Sequence, residues 1–140
     1  MTSRILICDD EFPITKAVGM KLTKCGFDVQ TCHDGQAAWE AYCAARPDML
    51  VTDLQMPRLD GLSLIRLIRE GDSRLPVVLL TAKGFEINEA ALEAEFGRFR
   101  LFAKPFSPRE LAGAVADMLQ DAAVAESVAV ATTHGTIASL

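Results

Sequence analysis

Short runs of β-branched and aliphatic residues alternate along this chain with stretches of helical periodicity, and that alternation restricts the fold more than any other feature. The runs are Arg4–Cys8, Phe27–Thr31, Met49–Thr52, Val77–Thr81 and Arg100–Ala103. Ile5-Leu6-Ile7, Met49-Leu50-Val51 and Val77-Val78-Leu79-Leu80 are apolar without interruption, as strands covered by helices on both faces must be. These three form the expected sheet centre. Phe27-Asp28-Val29-Gln30-Thr31 alternates apolar and polar residues and suits an edge strand.

Between the runs, Ile14, Val18 and Leu22 recur one helical turn apart. Leu64, Ile65 and Ile68 mark a third helix, and Leu111, Val115, Met118 and Leu119 a fifth. The second helix, about Gly35–Ala45, ends before Pro47; the fourth, about Asn88–Phe96, opens at an Asn cap and stops at Gly97. The order is βα five times, an α/β chain with a parallel sheet and right-handed crossovers. In such a sheet a reversal of strand order leaves a crevice beyond the strand C-termini, so polar residues there are the place to seek function.

At 140 residues the chain is expected to be one domain, residues 1–123, with a frayed C-terminal tail, 124–140. Val124 and Val128 are one turn apart, but Thr132-Thr133-His134-Gly135 is expected to end any helix. Lys plus Arg number 14 against 19 Asp plus Glu, a net charge of −5 that argues against nucleic acid as a partner of this chain alone. Cys8, Cys25, Cys32 and Cys43 form no C-x-x-C pair and read as small buried hydrophobes in a reducing compartment. No segment has the apolar length of a membrane span, and the N-terminus lacks the apolar region of a signal peptide. A cytoplasmic location and no membrane contact are the expectation.

Each core strand runs into polar residues. The first ends at Asp9-Asp10-Glu11, the third at Thr52-Asp53, the fourth at Thr81-Ala82 and the fifth at Lys104-Pro105. With the first and third strands adjacent, Asp9, Asp10 and Asp53 converge, and their repulsion requires a compensating cation. Hard carboxylate oxygens at that spacing suit Mg²⁺, Lys104 supplies a second positive charge, and Thr81 a hydroxyl. Taken singly these are ordinary turn and cap residues. Their meeting on one sheet edge is what points to a site.

From about Ser3 to Leu119 the chain resembles the receiver domains of two-component response regulators. The resemblance rests on Leu6-Ile7-Cys8-Asp9-Asp10-Glu11, the run from Asp48 to Gly61 around Asp53, Leu80-Thr81-Ala82-Lys83, and Lys104-Pro105-Phe106. It implies a flavodoxin-like, doubly wound five-stranded sheet of order 2-1-3-4-5. It further implies that Asp53 accepts a phosphoryl group and that Mg²⁺ is ligated by Asp10, Asp53 and the Gln55 backbone carbonyl, with Asp9 acting through water. Thr81 and Lys104 would then bind the phosphoryl oxygens, and Lys104-Pro105 would be cis. The implied donor is a phosphohistidine on a sensor histidine kinase or a histidine phosphotransfer protein. A downstream protein would dock on the face of the fourth helix, fifth strand and fifth helix, the chain itself being a monomer or weak dimer.

The chemistry suits those roles. Phosphoryl transfer needs positioning and neutralisation of charge, and an ionised carboxylate needs no general base. No catalytic His is then required, so His33 and His134 read as surface bystanders. Gln55 and Lys83 flank the attack path and are expected to tune hydrolysis. Trp39 and Tyr42 read as packing, and Glu86, Glu89, Glu93 and Glu95 as a solvated face.

Two departures stand out. The family places an aromatic three residues before the Lys, where this chain has Leu101, and Thr81 lies 23 residues before Lys104 against about 22 expected. The leading expectation is a single-domain, non-enzymatic phosphoacceptor. The alternatives are a phosphorylation-independent scaffold, the receiver portion of a longer regulator, and, least favoured, a phosphohydrolase with an aspartyl nucleophile. Against the last, Gln55 stands where a second acid belongs.

Overall fold

The computed structural model describes residues 2–82, 88–97 and 99–138, with side chains up to 125. The elements are β1 (Arg4–Cys8), α1 (Phe12–Lys24), β2 (Asp28–Cys32), α2 (Gly35–Ala44), β3 (Met49–Asp53), α3 (Gly61–Gly71), β4 (Val77–Ala82), α4 (Glu89–Phe96), β5 (Phe99–Lys104) and α5 (Pro108–Ala138). All strand pairs are parallel, in the order β2-β1-β3-β4-β5. The reversal falls between β1 and β3, as the acidic strand ends require.

Strand periodicity divides the core in two. Ile5 and Ile7, Met49 and Val51, and Val78 and Leu80 point to one face, where Val18, Leu22, Leu111 and Val115 from α1 and α5 cover them. Leu6 and Cys8, Leu50, and Val77 and Leu79 point to the other, under Leu64, Ile65 and Ile68 of α3. Burying each such aliphatic side chain stabilises by roughly 1.5–3 kcal/mol. The edge strands differ: β2 is mostly exposed, and β5 is partly so along its length.

Side chains set where the helices start. Asp34, Asp60 and Asn88 each accept from a backbone N–H three residues on, at 2.7, 2.8 and 3.1 Å. Glu11, at the cap of α1, makes no such bond; its side chain is used elsewhere. No helix among the described residues is long and apolar enough to cross a membrane.

Three expectations are corrected here. The helix expected to stop at Thr132–Gly135 continues to Ala138 in α5. One interior glycine costs only about 1 kcal/mol against alanine, which an Ala-rich stretch tolerates. Only Cys8 and Cys32 are buried, whereas Cys25, at the C-cap of α1, and Cys43, on the outer side of α2, are exposed. His33 is no surface bystander: its ring stacks on Phe12 at 3.8 Å, and its Nδ1 lies 3.2 Å from the Asp9 carbonyl oxygen. Residue 134 lies beyond the described side chains.

Trp39 and Tyr42 do pack on the core, stacked on each other at 5.7 Å. The Tyr42 hydroxyl also donates to Asp72 at 2.9 Å, joining α2 to the end of α3. Asp72 is a hub that sequence reading missed. Its carboxylate accepts from Tyr42, from Arg46 Nε at 2.6 Å and from the backbone N–H groups of Arg74 and Leu75.

Candidate functional site

The residues at the strand ends meet because register forces them to. Cys8 lies opposite Thr52 in β1·β3, so the next residues, Asp9 and Asp53, leave the sheet side by side. In β4·β5, Thr81 lies opposite Ala103 and Ala82 opposite Lys104. Asp9, Asp53 and Thr81 are buried, whereas Asp10 is exposed.

Carboxylate oxygens of Asp9, Asp10 and Asp53 lie within 4.8 Å of one another. Lys104 Nζ sits among the acids, 2.8 Å from Asp9 Oδ2, 3.1 Å from Asp53 Oδ2 and 3.3 Å from Glu11 Oε1. The Glu11 contact explains why that residue does not cap its own helix. Its backbone N–H donates to Asp9 Oδ1 at 2.9 Å, and its side chain turns to Lys104. Gln55 donates its backbone N–H to Asp53 Oδ1 at 3.3 Å.

Burial governs the protonation of this cluster. Loss of water pushes the Asp9 carboxyl above the usual carboxylate range; Lys104 and the Glu11 N–H oppose that rise without cancelling it. Burial alone would lower the pKa of Lys104, but its close approach to the carboxylates of Asp9 and Asp53 outweighs that and pushes it up to about 12. Lys104 is therefore a permanent cation at neutral pH. Asp9 Oδ2, although close to Lys104, receives no well-directed hydrogen bond. A buried carboxylate oxygen without a directed donor, beside two further carboxylates, fits a hard divalent cation with oxygen ligands.

Backbone packing supports Asp53 from behind. Gly61 N–H donates to the Leu54 carbonyl at 2.9 Å, and a Cβ on Gly61 would overlap the carbonyl oxygen of Asp53. A Cβ on Gly35 would likewise overlap the Leu59 carbonyl, so α2 and the loop after Asp53 interlock through a glycine. Arg58, in that loop, has a positive φ of 70°, and its guanidinium lies 3.8 Å from Asp34.

Asp9, Asp10, Asp53, Gln55 and Lys104 thus meet at one place, with Thr81 near the adjoining end of β4; the Lys104–Pro105 peptide bond is cis. Glu11 and His33 belong to its surroundings; from sequence Glu11 carries no assigned role and His33 is set aside as a bystander. A Glu following the acidic pair was the available signal for the first, and nothing local announced the second. Lys83 and Glu86 lie outside the described residues. Glu89 and Glu93 are solvated, while Glu95 pairs with Arg66 at 2.7 Å. Leu101 packs against the apolar cluster beneath α3 and α4 with no ring to reorient.

Comparison with known proteins agrees with this geometry. The response regulator receiver domain matches residues 5–116. The alkaline phosphatase synthesis transcriptional regulatory protein PhoP of Bacillus subtilis is 34% identical over 125 residues, which is 89% of this chain and 52% of that protein. A putative response regulator from Chloroflexus aurantiacus superposes with a TM-score of 0.76 at 30% identity, covering 86% of this chain and 99% of that one. The chemotaxis response regulator CheY4 of Vibrio cholerae shares the fold, with a TM-score of 0.76 at 24% identity over 84% of this chain and 99% of that one. The chain spans about half the length of the curated relatives it matches. Family match, strand order and the acidic crevice agree: the chain belongs to the response regulator receiver domain family.

Proposed function

We propose that this chain is a phosphorylation-dependent signalling module whose acceptor is Asp53. The observation that carries the reading is the Lys104 ammonium held between Asp9 and Asp53, a fixed cation where phosphoryl charge would develop. An oxygen of the Asp53 carboxylate attacks phosphorus as the N–P bond of a phosphohistidine breaks, and the imidazole leaves with the bonding electrons. The donor is a sensor histidine kinase or a histidine phosphotransfer protein. Asp10, Asp53 and the Gln55 carbonyl would hold Mg²⁺, with Asp9 acting through water; bound there, the ion supplies neutralisation of phosphoryl charge. Thr81 and Lys104 take the remaining phosphoryl oxygens. The unit is an acceptor rather than an enzyme, with slow hydrolysis of its own acyl phosphate.

The acceptor unit is residues 1–123, acting in the cytoplasm as a monomer or weak dimer. It signals by binding a downstream protein on the α4–β5–α5 face, without contact to nucleic acid or membrane. Treating the protein with acetyl phosphate, with and without Mg²⁺, and weighing it intact tests this. One Mg²⁺-dependent phosphate, absent in Asp53→Asn, is expected. No phosphate under either condition would overturn the reading in favour of a phosphorylation-independent scaffold.

The length of the relatives favours a second reading, the receiver portion of a longer regulator. An immunoblot of cell extract separates the two. A species near 15.2 kDa supports the stand-alone unit, and one of about twice that mass the longer regulator.

A further inference from the structure

A second cavity, of about 480 Å³, lies at the opposite edge of the sheet from Asp53, where β4 and β5 begin and α5 passes them. Its apolar wall comes from Phe99, Met118, Ala122 and Ala125, with the buried Leu75 behind them. Its volume is within the roughly 300–1,000 Å³ of small-molecule sites. Arg74 and Arg100 line it as well, and among the described residues neither guanidinium has an ion pair or side-chain hydrogen bond.

Charge makes this cavity unlike the rest of the molecule. The chain carries a net −5, yet three arginines line the cavity against two acids, Glu93 and Asp121. The third arginine, Arg69, donates to the carbonyls of Phe96, Asp72 and Leu75 at 2.9, 3.1 and 2.8 Å, so its guanidinium is held in place by backbone, with the Asp72 carboxylate near enough to offset part of its charge. Burial lowers the pKa of Arg69, but a guanidinium starts high enough to stay charged.

We infer that this cavity binds a free amphipathic acid, with a ring-containing apolar body against Phe99 and Met118 and one anionic head between Arg74 and Arg100. Guanidinium forks pair with carboxylate, phosphate or sulfonate heads, while the apolar wall rewards a body that inorganic anions lack. The site lies at the far end of the strands from the acidic crevice and does not depend on the acceptor reading, although it shares α4, β5 and α5 with the face proposed for a downstream protein. The same head chemistry occurs on anionic lipids, so the test separates the two sources.

The probe is 8-anilinonaphthalene-1-sulfonate, titrated into the full chain and followed by fluorescence and by backbone amide NMR. Saturable 1:1 binding is expected, with shifts confined to residues around Leu75, Phe99, Arg100 and Ala122. The neutral N-phenyl-1-naphthylamine and sodium sulfate are expected to bind at least about tenfold more weakly. Arg74→Gln with Arg100→Gln should weaken the sulfonate by about tenfold or more, and Ala122→Phe, which sets a ring against the apolar wall, should weaken it likewise. Circular dichroism melting checks that both variants remain folded. Absence of binding, shifts elsewhere, or binding unchanged in folded variants would overturn the proposal. Sedimentation with phosphatidylglycerol vesicles that is lost in the double arginine variant would overturn the free acid in favour of a lipid surface.

Discussion

Lys104 Nζ stands 2.8 Å from Asp9 Oδ2 and 3.1 Å from Asp53 Oδ2, nearer to the neighbouring acid than to the proposed acceptor. The ammonium therefore occupies ground that a divalent cation also seeks, since both draw on the same carboxylates. Removing the lysine therefore has opposite consequences for metal and for phosphoryl group.

For Lys104→Met, Mg²⁺ affinity is expected to rise several-fold, because the competing charge is gone. Acyl-phosphate formation should fall by about tenfold or more, because a charge-assisted contact to the developing phosphoryl group is lost. Calorimetric Mg²⁺ titration and timed intact-mass labelling read the two effects separately. Weaker Mg²⁺ binding in the variant would contradict the competition.

Glu11 is a weaker partner of the same lysine. It is 56% exposed and 3.3 Å away, and exposed ion pairs contribute about 0–1 kcal/mol. Glu11→Gln should thus change the labelling rate by no more than about fivefold. A larger loss, measured in the same labelling assay, would place Glu11 within the reacting group.

Gly61→Ala sets a methyl group against the Asp53 carbonyl oxygen, and one of the two backbones must move. The expected cost is about 1–3 kcal/mol in urea denaturation, with slower labelling because the acceptor shifts. Gly71→Ala, where a Cβ meets nothing within 4 Å, is the matched control and should label at the wild-type rate.

Asp72 makes the stability of this fold depend on acid. Burial alone would raise its pKa, but Arg46, Tyr42 and the Arg74 N–H outweigh that and hold it at about 2. A folded-state pKa below the unfolded value gives stability that is present above about pH 4 and lost as pH falls toward 2. Arg46 is 43% exposed, so solvent discounts the effect to about 1–2 kcal/mol. Asp72→Asn should lose that amount at pH 7 and flatten the decline between pH 4 and 2, measured by urea denaturation across pH. A variant as stable as wild type at pH 7 would refute the hub.

The strands, their parallel arrangement and the acidic strand ends were legible in sequence because each depends on local pattern. Uninterrupted apolar runs must be covered on both sides, and Asn88 caps its helix through an N–H group only three residues away. The last helix was misjudged for the same reason: Thr132–Gly135 is a weak local stop, and α5 runs through it.

The contacts hidden from sequence are those between residues far apart in the chain. Glu11 meets Lys104 across 93 positions, Tyr42 meets Asp72 across 30, and Phe12 stacks on His33 across 21 intervening steps of chain. Each pairing depends on strand register and helix placement, which no single segment encodes. The sequence by itself determined that this chain builds a parallel α/β sheet with three carboxylates, a threonine and a lysine on one edge, because strand period and order compel it. Tertiary structure alone decided which acid Lys104 sits closest to, which glycines admit a neighbouring backbone, and where unpaired arginines gather around a cavity. Those are matters of distance in space, set by packing after the strands have found their partners.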